Sequence, residues 1–346
     1  MGVLIGLWFY APSLSAQNDT LKVLFIGNSH TYTNDLPQLF VDLSLSGGRP
    51  AVKDMNAIPD YTLLQHTTNP TTLELISRGT WDYVVLQDQS LYPVIDYFRY
   101  GSMYSSVIFL DSLITMLGQH TAIYMTWGRP HGGQWCQGDY CSINFENYFQ
   151  MQDSVSASCR MIADSISALL LPAGDAWAVA RSRDSTVDLW QSDEVHATLK
   201  GSYLAACVFY ATFYRASPVG LSFTAGLLPQ DALFLQQAAD STVLAIGDET
   251  PNRPKSYAIY QNFPNPFNSE TNIAFELPHE EFVRLAIYDV GGRLVRRLED
   301  GRLTTGRHEI NWDSKDENGK SVSSGVYFSI LDAGHTNQAI KLLLLK

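Results

Sequence analysis

The sequence predicts an α/β domain built on a parallel sheet, followed by a small all-β sandwich of immunoglobulin-like character. Three observations carry that prediction. Short apolar or β-branched runs alternate with helical stretches from residue 20 to 247. The segment DETPNRPKS then brings two prolines and mixed charge, the composition of an exposed linker. Beyond it, apolar residues recur at every second position, as they do in strands covered on one face. With 346 residues the chain is long enough to bury two separate cores.

Residues 1–16, MGVLIGLWFYAPSLSA, form a short apolar run closing on Ser13, Ser15 and Ala16, which reads as a signal peptide, although no Lys or Arg precedes it. The run is broken by Pro12 and falls short of the ~20 apolar residues a spanning helix needs. The expected location is therefore secreted or cell-surface, reached by export through the periplasm. In the domain at 20–247, strands are expected at 22–26 (KVLFI), 83–86 (YVVL), 122–126 (AIYMT) and 168–171 (ALLL), near-continuous apolar runs that suit burial on both faces. Helices are expected at 37–45, 104–117, 148–167 and 202–214, where apolar residues fall at three-to-four spacing. Residues 248–256 form the linker. In the domain at 257–346, Ile273, Phe275 and Leu277 alternate with polar or small residues, and Val283, Leu285 and Ile287 repeat the pattern before a turn at Gly291 and Gly292. Further strands around 308–312, 326–331 and 339–345 bring the total to roughly seven.

A formal net charge of −12 and the lack of a basic stripe exclude nucleic acid as a partner. Hydrophobic residues at 45% and aromatic residues at 12% fit a packed chain. Of the four cysteines, Cys136 and Cys141 share one loop and can pair in an exported protein; the competing zinc site, with His131, lacks a second ligand cluster. Cys159 and Cys207 sit in apolar helical patterns and read as buried small hydrophobes. The tail segment DSKDENGK lacks the full EF-hand ligand pattern and reads as a hairpin loop.

The strand at 22–26 runs straight into Gly27-Asn28-Ser29-His30-Thr31, which puts a hydroxyl at the carboxyl end of a parallel strand, where α/β sheets place their ligand sites. A serine is a weak nucleophile unless a neighbouring base takes its proton. Among His30, His66, His120, His131 and His196, the last stands out because Asp193 precedes it by three residues in QSDEVHATLKGSY. One short loop can then hold both the base and the carboxylate that sets its tautomer. His30, next to Ser29 in sequence, should diverge from the hydroxyl and pack locally. Without the serine element, an Asp-x-x-His unit reads as structural.

Gly27-Asn28-Ser29 resembles the Gly-Asp-Ser block of the SGNH or GDSL hydrolases, and Asp193 with His196 resembles their final Asp-x-x-His block, in the same order. VVLQDQS at 84–90, MTWGR at 125–129 and GSYLAACVFYATF at 201–213 are similar to a bacterial subgroup of that superfamily. The resemblance covers nearly all of the first domain and implies a flavodoxin-like three-layer α/β/α fold. It also implies hydrolysis of acyl esters through a serine acyl-enzyme, without a metal or organic cofactor, with Ser29 as nucleophile, His196 as base and Asp193 as its orienting carboxylate. Two departures bear on activity. The family's oxyanion asparagine corresponds to Gln89, with Gln87 as second donor, so an amide survives on a longer stem. The family's oxyanion glycine has no clear match in MNAIPDYTLLQH at 55–66, where Asp60 is nearest. The Ser29 N–H is the remaining oxyanion donor.

Substrate binding is assigned to Asn28, Trp127, Arg129 and Trp135. The segment TWGRPHGGQWCQGDYC sets Trp127, Trp135 and Tyr140 among glycines after a strand end. Either these aromatics stack on sugar rings, pointing to an O-acetyl ester on a carbohydrate, or the loop buries them for its own stability. Arg129 either binds an acidic substrate or ties the loop to a carboxylate. The tail motifs YQNFPNPFNSETNIAFELP, VRLAIYDVGGRLVRRL, GRHEINWDSKDENGKSVSSGVYF and IKLLLLK resemble the C-terminal sorting domain of the type IX secretion system, related to the flagellar hook-cap immunoglobulin-like module. That implies the type IX secretion machinery as a partner, beside a small-molecule or glycan ester substrate. Two other readings stand: a non-catalytic surface glycan-binding protein on a hydrolase fold, and a lipase or thioesterase with the same triad.

Overall fold

The computed structural model describes residues 20–247, 257–278, 280–333 and 336–346. The signal peptide expected at 1–16 and the linker expected at 248–256 lie outside them. Five parallel strands form the first domain's sheet: β1 (Leu21–Gly27), β2 (Ala51–Ala57), β3 (Tyr83–Leu86), β4 (His120–Tyr124) and β5 (Leu169–Leu171). Their order is β2-β1-β3-β4-β5, the flavodoxin-like arrangement, with the topological switch between β1 and β3.

Alternation along β1 explains the three layers. Val23 and Phe25 point to one side and pack with α1 (Leu36–Ser46), α5 (Ala173–Arg183), α6 (Leu199–Tyr214) and α7 (Pro229–Gly247). Leu24 and Ile26 point to the other and pack with α2 (Pro70–Ser77), α3 (Tyr104–Met116) and α4 (Tyr148–Ser165). Both sets are fully buried, so the strand reads as an unbroken apolar run. Helix α6 is buried on nearly every side, and at Gly201 a Cβ would stand 2.5 Å from the Trp177 ring and 2.6 Å from the Leu189 carbonyl, so only glycine lets the helix approach this closely.

Three features differ from the sequence expectation. Strand β2, sequence AVKDMNA, was not anticipated, because it lies at the sheet edge, pairs only with β1 and stays half-exposed, so its residues are mixed in polarity. Helices α2, α5 and α7 were likewise unread. Helix α6 begins at Leu199 rather than 202, where Thr198 caps it by accepting from the Gly201 N–H.

The tail is an immunoglobulin-like sandwich. Its strands are β6 (Ala258–Ile259), β7 (Thr271–Leu277), β8 (Glu281–Asp289), β9 (Leu294–Leu303), β10 (Gly306–Trp312), β11 (Gly325–Ala333) and β12 (Thr336–Leu344). They pair antiparallel as β9-β8-β11-β12 and β10-β7-β6. Ile273, Phe275 and Leu277 of one sheet face Val283, Leu285 and Ile287 of the other around Trp312. Asp316, within DSKDENGK, accepts from the N–H groups of Asn318 and Lys320 in a tight hairpin turn. Cys136 and Cys141 are joined by a disulfide, and Cys159 and Cys207 are buried thiols. Among the described residues no helix is long and apolar enough to cross a membrane.

Candidate active site

Strand β1 ends at Gly27, and the chain turns at Asn28 into a single helical turn, Ser29–Tyr32. Three neighbours grip that turn. The Gln87 side-chain oxygen, at the end of β3, accepts from the Asn28 N–H at 2.9 Å and from the Thr31 hydroxyl at 2.8 Å. Asn28 Oδ1 accepts from the His30 N–H at 3.1 Å, while its Nδ2 donates to the Tyr61 carbonyl at 2.9 Å. The His66 ring spans the Gly27 carbonyl at 2.9 Å and the Thr72 hydroxyl at 2.7 Å. A Cβ on Gly27 would meet Thr31 Oγ1 at 2.4 Å and Gln87 Oε1 at 2.6 Å, so no side chain fits between the strand end and its clamp.

Ser29 is left pointing outward, and His196 comes to it from 167 residues away: Nε2 lies 2.8 Å from Ser29 Oγ. Nδ1 of the same ring lies 2.6 Å from Asp193 Oδ2. A carboxylate only accepts, so Nδ1 carries the proton and Nε2 is free to accept from the serine hydroxyl. Asp193 Oδ1 also accepts from the N–H groups of Val195 and His196, each at 2.9 Å. Partial burial works to raise the Asp193 pKa, but the hydrogen bonds from the His196 ring and from these two amides hold it down to about 2. The loop itself is pinned. Trp127 Nε1 donates to the Val195 carbonyl at 3.0 Å, Gln191 N to the His196 carbonyl at 2.8 Å, and Asn34 Nδ2 to the Ala197 carbonyl at 3.0 Å. Neither Asn34 nor Gln191 carries a sequence signal that would have marked it.

The other expected residues divide. Gln87 is not an oxyanion donor: it is buried, its oxygen holds the turn that carries Ser29, and its NH2 is turned to the Asp88 carbonyl. Asp60 is exposed at a positive φ of 57° in the turn at 58–61, and that turn meets the Ser29 segment through the Tyr61 carbonyl, which accepts from Asn28 Nδ2. Asn28 is not a substrate ligand, because its backbone N–H and both side-chain polar atoms are already engaged within the protein. Trp127 is no sugar platform: it is 1% exposed and stacks on Trp177 at 3.7 Å. Gln89 is half-buried, its Oε1 accepts from the Leu91 N–H at 2.6 Å, and its NH2 finds no partner among the described residues. Arg129 is buried and donates to Ser90 Oγ at 3.0 Å, and Trp135 lies over its guanidinium at 5.3 Å. Tyr140 is exposed and stacks on Tyr97 at 3.5 Å.

His30 packs between Trp127 and His196, with ring centroids at 5.4 and 5.5 Å. Burial first, then the neighbouring charges of Arg129 and His196, push its imidazole down to about 3. Between roughly pH 6.5 and 3 the unfolded chain therefore binds a proton here that the folded chain refuses, so this residue costs stability as pH falls. Asp88, whose burial raises its carboxyl to about 6, works in the opposite sense between its unfolded value of 3.8 and 6. Replacing His30 with Gln should make the fall of Tm between pH 7 and 4.5 shallower in scanning calorimetry; an unchanged slope would contradict this account.

Ser29 follows the carboxyl end of β1, beside the end of β3, and the loop between α5 and α6 brings Asp193 and His196 to it. A DUF4886 family protein from Bacteroides uniformis shares this fold, at 19% identity over 67% of this chain and 98% of its own, with a TM-score of 0.52. The chain is also similar to a candidate SGNH hydrolase from Slackia heliotrinireducens (23% identity, 56% of this chain and 100% of that one, TM-score 0.46). A third similar structure is the psychrotrophic esterase EstA from a Pseudoalteromonas species (14% identity, 56% and 97%, TM-score 0.41). Residues 262–330 match the FlgD Ig-like domain. No curated protein matches the chain. The architecture is a three-layer α/β/α domain on a parallel sheet, followed by an immunoglobulin-like sandwich whose residues 262–330 match the FlgD Ig-like domain.

Proposed function

We propose that the chain is a secreted serine esterase that hydrolyses acyl esters, O-acetyl groups on carbohydrates first among them. The observation that carries this is the unbroken relay from Ser29 through His196 to Asp193. Ser29 Oγ attacks the acyl carbon while His196 Nε2 takes its proton, and Asp193 faces the imidazolium that results. The Ser29 N–H and the Gln89 NH2 receive the oxyanion. His196 then returns the proton to the leaving alcohol, and water, activated by the same ring, releases the acid from Ser29. A fluorophosphonate probe should label the protein, and mass spectrometry should find the label on Ser29; absence of labelling, with no turnover of p-nitrophenyl acetate, would defeat the proposal.

The exposed Tyr97 and Tyr140 rings supply flat faces suited to sugar stacking. Acyl-chain preference separates this reading from a lipase or thioesterase on the same triad. The inward-turned Gln87 and exposed Asp60 favour one other reading, a non-catalytic glycan-binding protein, whose signature is retention on a glycan array without ester turnover.

For the tail, we propose a sorting role in type IX secretion, which the match to the FlgD Ig-like domain supports. Deleting residues 257–346 should leave the protein in the periplasm of a type IX-competent host. Undiminished release into the medium would refute the role.

A further inference from the structure

Arg129 carries a charge that the protein leaves incomplete. The residue is 4% exposed, and its Nη2 donates to Ser90 Oγ at 3.0 Å. Among the described residues its Nε and Nη1 are buried without an acceptor, and no carboxylate forms an ion pair with it. A buried guanidinium in that condition is costly, and proteins ordinarily supply a carboxylate to match it. An aromatic ring, Trp135, lies over it at 5.3 Å. Trp135 is half-buried and adjoins the disulfide-bonded Cys136, on a loop rather than in the sheet.

The position of this charge relative to the relay indicates what it serves. Arg129 is close enough for its charge to be felt at His30, whose ring packs against His196, and for the Asp193 charge to be felt in return. With an acetyl as the acyl group, as proposed above, a carboxylate that meets this guanidinium belongs to the alcohol part of the ester. One guanidinium, in a chain of net charge −12, suits a single planar monoanion better than a phosphate dianion.

We infer that Arg129 is the receptor for a carboxylate on the alcohol part of the ester, so that the substrate is an O-acylated hydroxy acid of the uronic-acid type. The carboxylate reaches the guanidinium as Trp135 swings aside, and it supplies the acceptor that Nε and Nη1 lack. This assignment rests on the esterase reading above and narrows its substrate class.

The test compares 4-acetoxybenzoate with its methyl ester, two acetates that differ in the charge of the alcohol part. Wild-type protein should favour the carboxylate in kcat/KM by about 10- to 100-fold, the range for a hydrogen bond between charged groups. Arg129→Gln should bring that ratio to about one, and Arg129→Lys should keep part of it. Equal efficiency on both esters in the wild type, which needs no variant to fold, overturns the carboxylate receptor and leaves the esterase intact. If neither ester is hydrolysed and no probe labels Ser29, the esterase reading fails instead. Calorimetric titration of Ser29→Ala with galacturonate and galactose then decides the receptor independently. Preference for galacturonate that disappears when Arg129→Gln is added supports it, and no preference overturns it.

Discussion

Replacing Ser29 with alanine is expected to lower kcat/KM on p-nitrophenyl acetate by about 10⁴- to 10⁶-fold, with Tm nearly unchanged. In the proposed mechanism the hydroxyl is the attacking atom, and its partner among the described residues is the His196 ring at 2.8 Å, so its loss removes the chemistry and little of the packing. Asp193→Asn should cost about 10⁴-fold by a different route. An amide nitrogen opposite Nδ1 favours the tautomer that protonates Nε2, and the ring then has no lone pair for the serine. The double variant should be little worse than Ser29→Ala, because the relay acts as a unit. Rates measured on the three proteins check this. Appreciable turnover by Ser29→Ala would move the nucleophile elsewhere.

Gln87→Leu is expected to be the most damaging change near the site that touches no substrate. It leaves the Asn28 N–H and the Thr31 hydroxyl, both buried, without their acceptor. Each orphaned group costs about 1–3 kcal/mol, so a Tm loss of roughly 5–15 °C follows for a domain of this size. Activity should fall too, since Asn28 and Thr31 flank the nucleophile. Thr31→Val keeps the bond to the Asn28 N–H and should lose less than half as much Tm. Calorimetry on the pair distinguishes a clamp from an oxyanion donor: a donor variant would lose kcat and keep its melting temperature.

Much of this molecule was legible in order along the chain. The apolar runs at 22–26 and 83–86 identified strands buried on both faces, and Gly27-Asn28-Ser29 with Asp193 and His196 identified the pieces of the relay. These signals are local: a two-faced burial pattern, a hydroxyl after a strand, a carboxylate and an imidazole in one loop. Strand β2 escaped because an edge strand with one neighbour needs no continuous apolar run. The roles of Gln87, Asn28 and Trp127 escaped for another reason, since an amide or an indole has the same identity whether it faces substrate or a neighbouring backbone.

The sequence by itself determined the fold class, the alternation that divides each strand between two layers, and the inventory of reactive groups. Only the tertiary structure decided which of those groups meet. It set His196 on Ser29 across 167 residues, turned Gln87 inward to hold the turn that carries Ser29, stacked Trp127 on Trp177, and buried Arg129 with two of its nitrogens unpartnered among the described residues. The physical reason is that periodicity and propensity act over neighbouring residues, whereas a hydrogen bond is made or missed over tenths of an ångström between segments that only the packed core brings together.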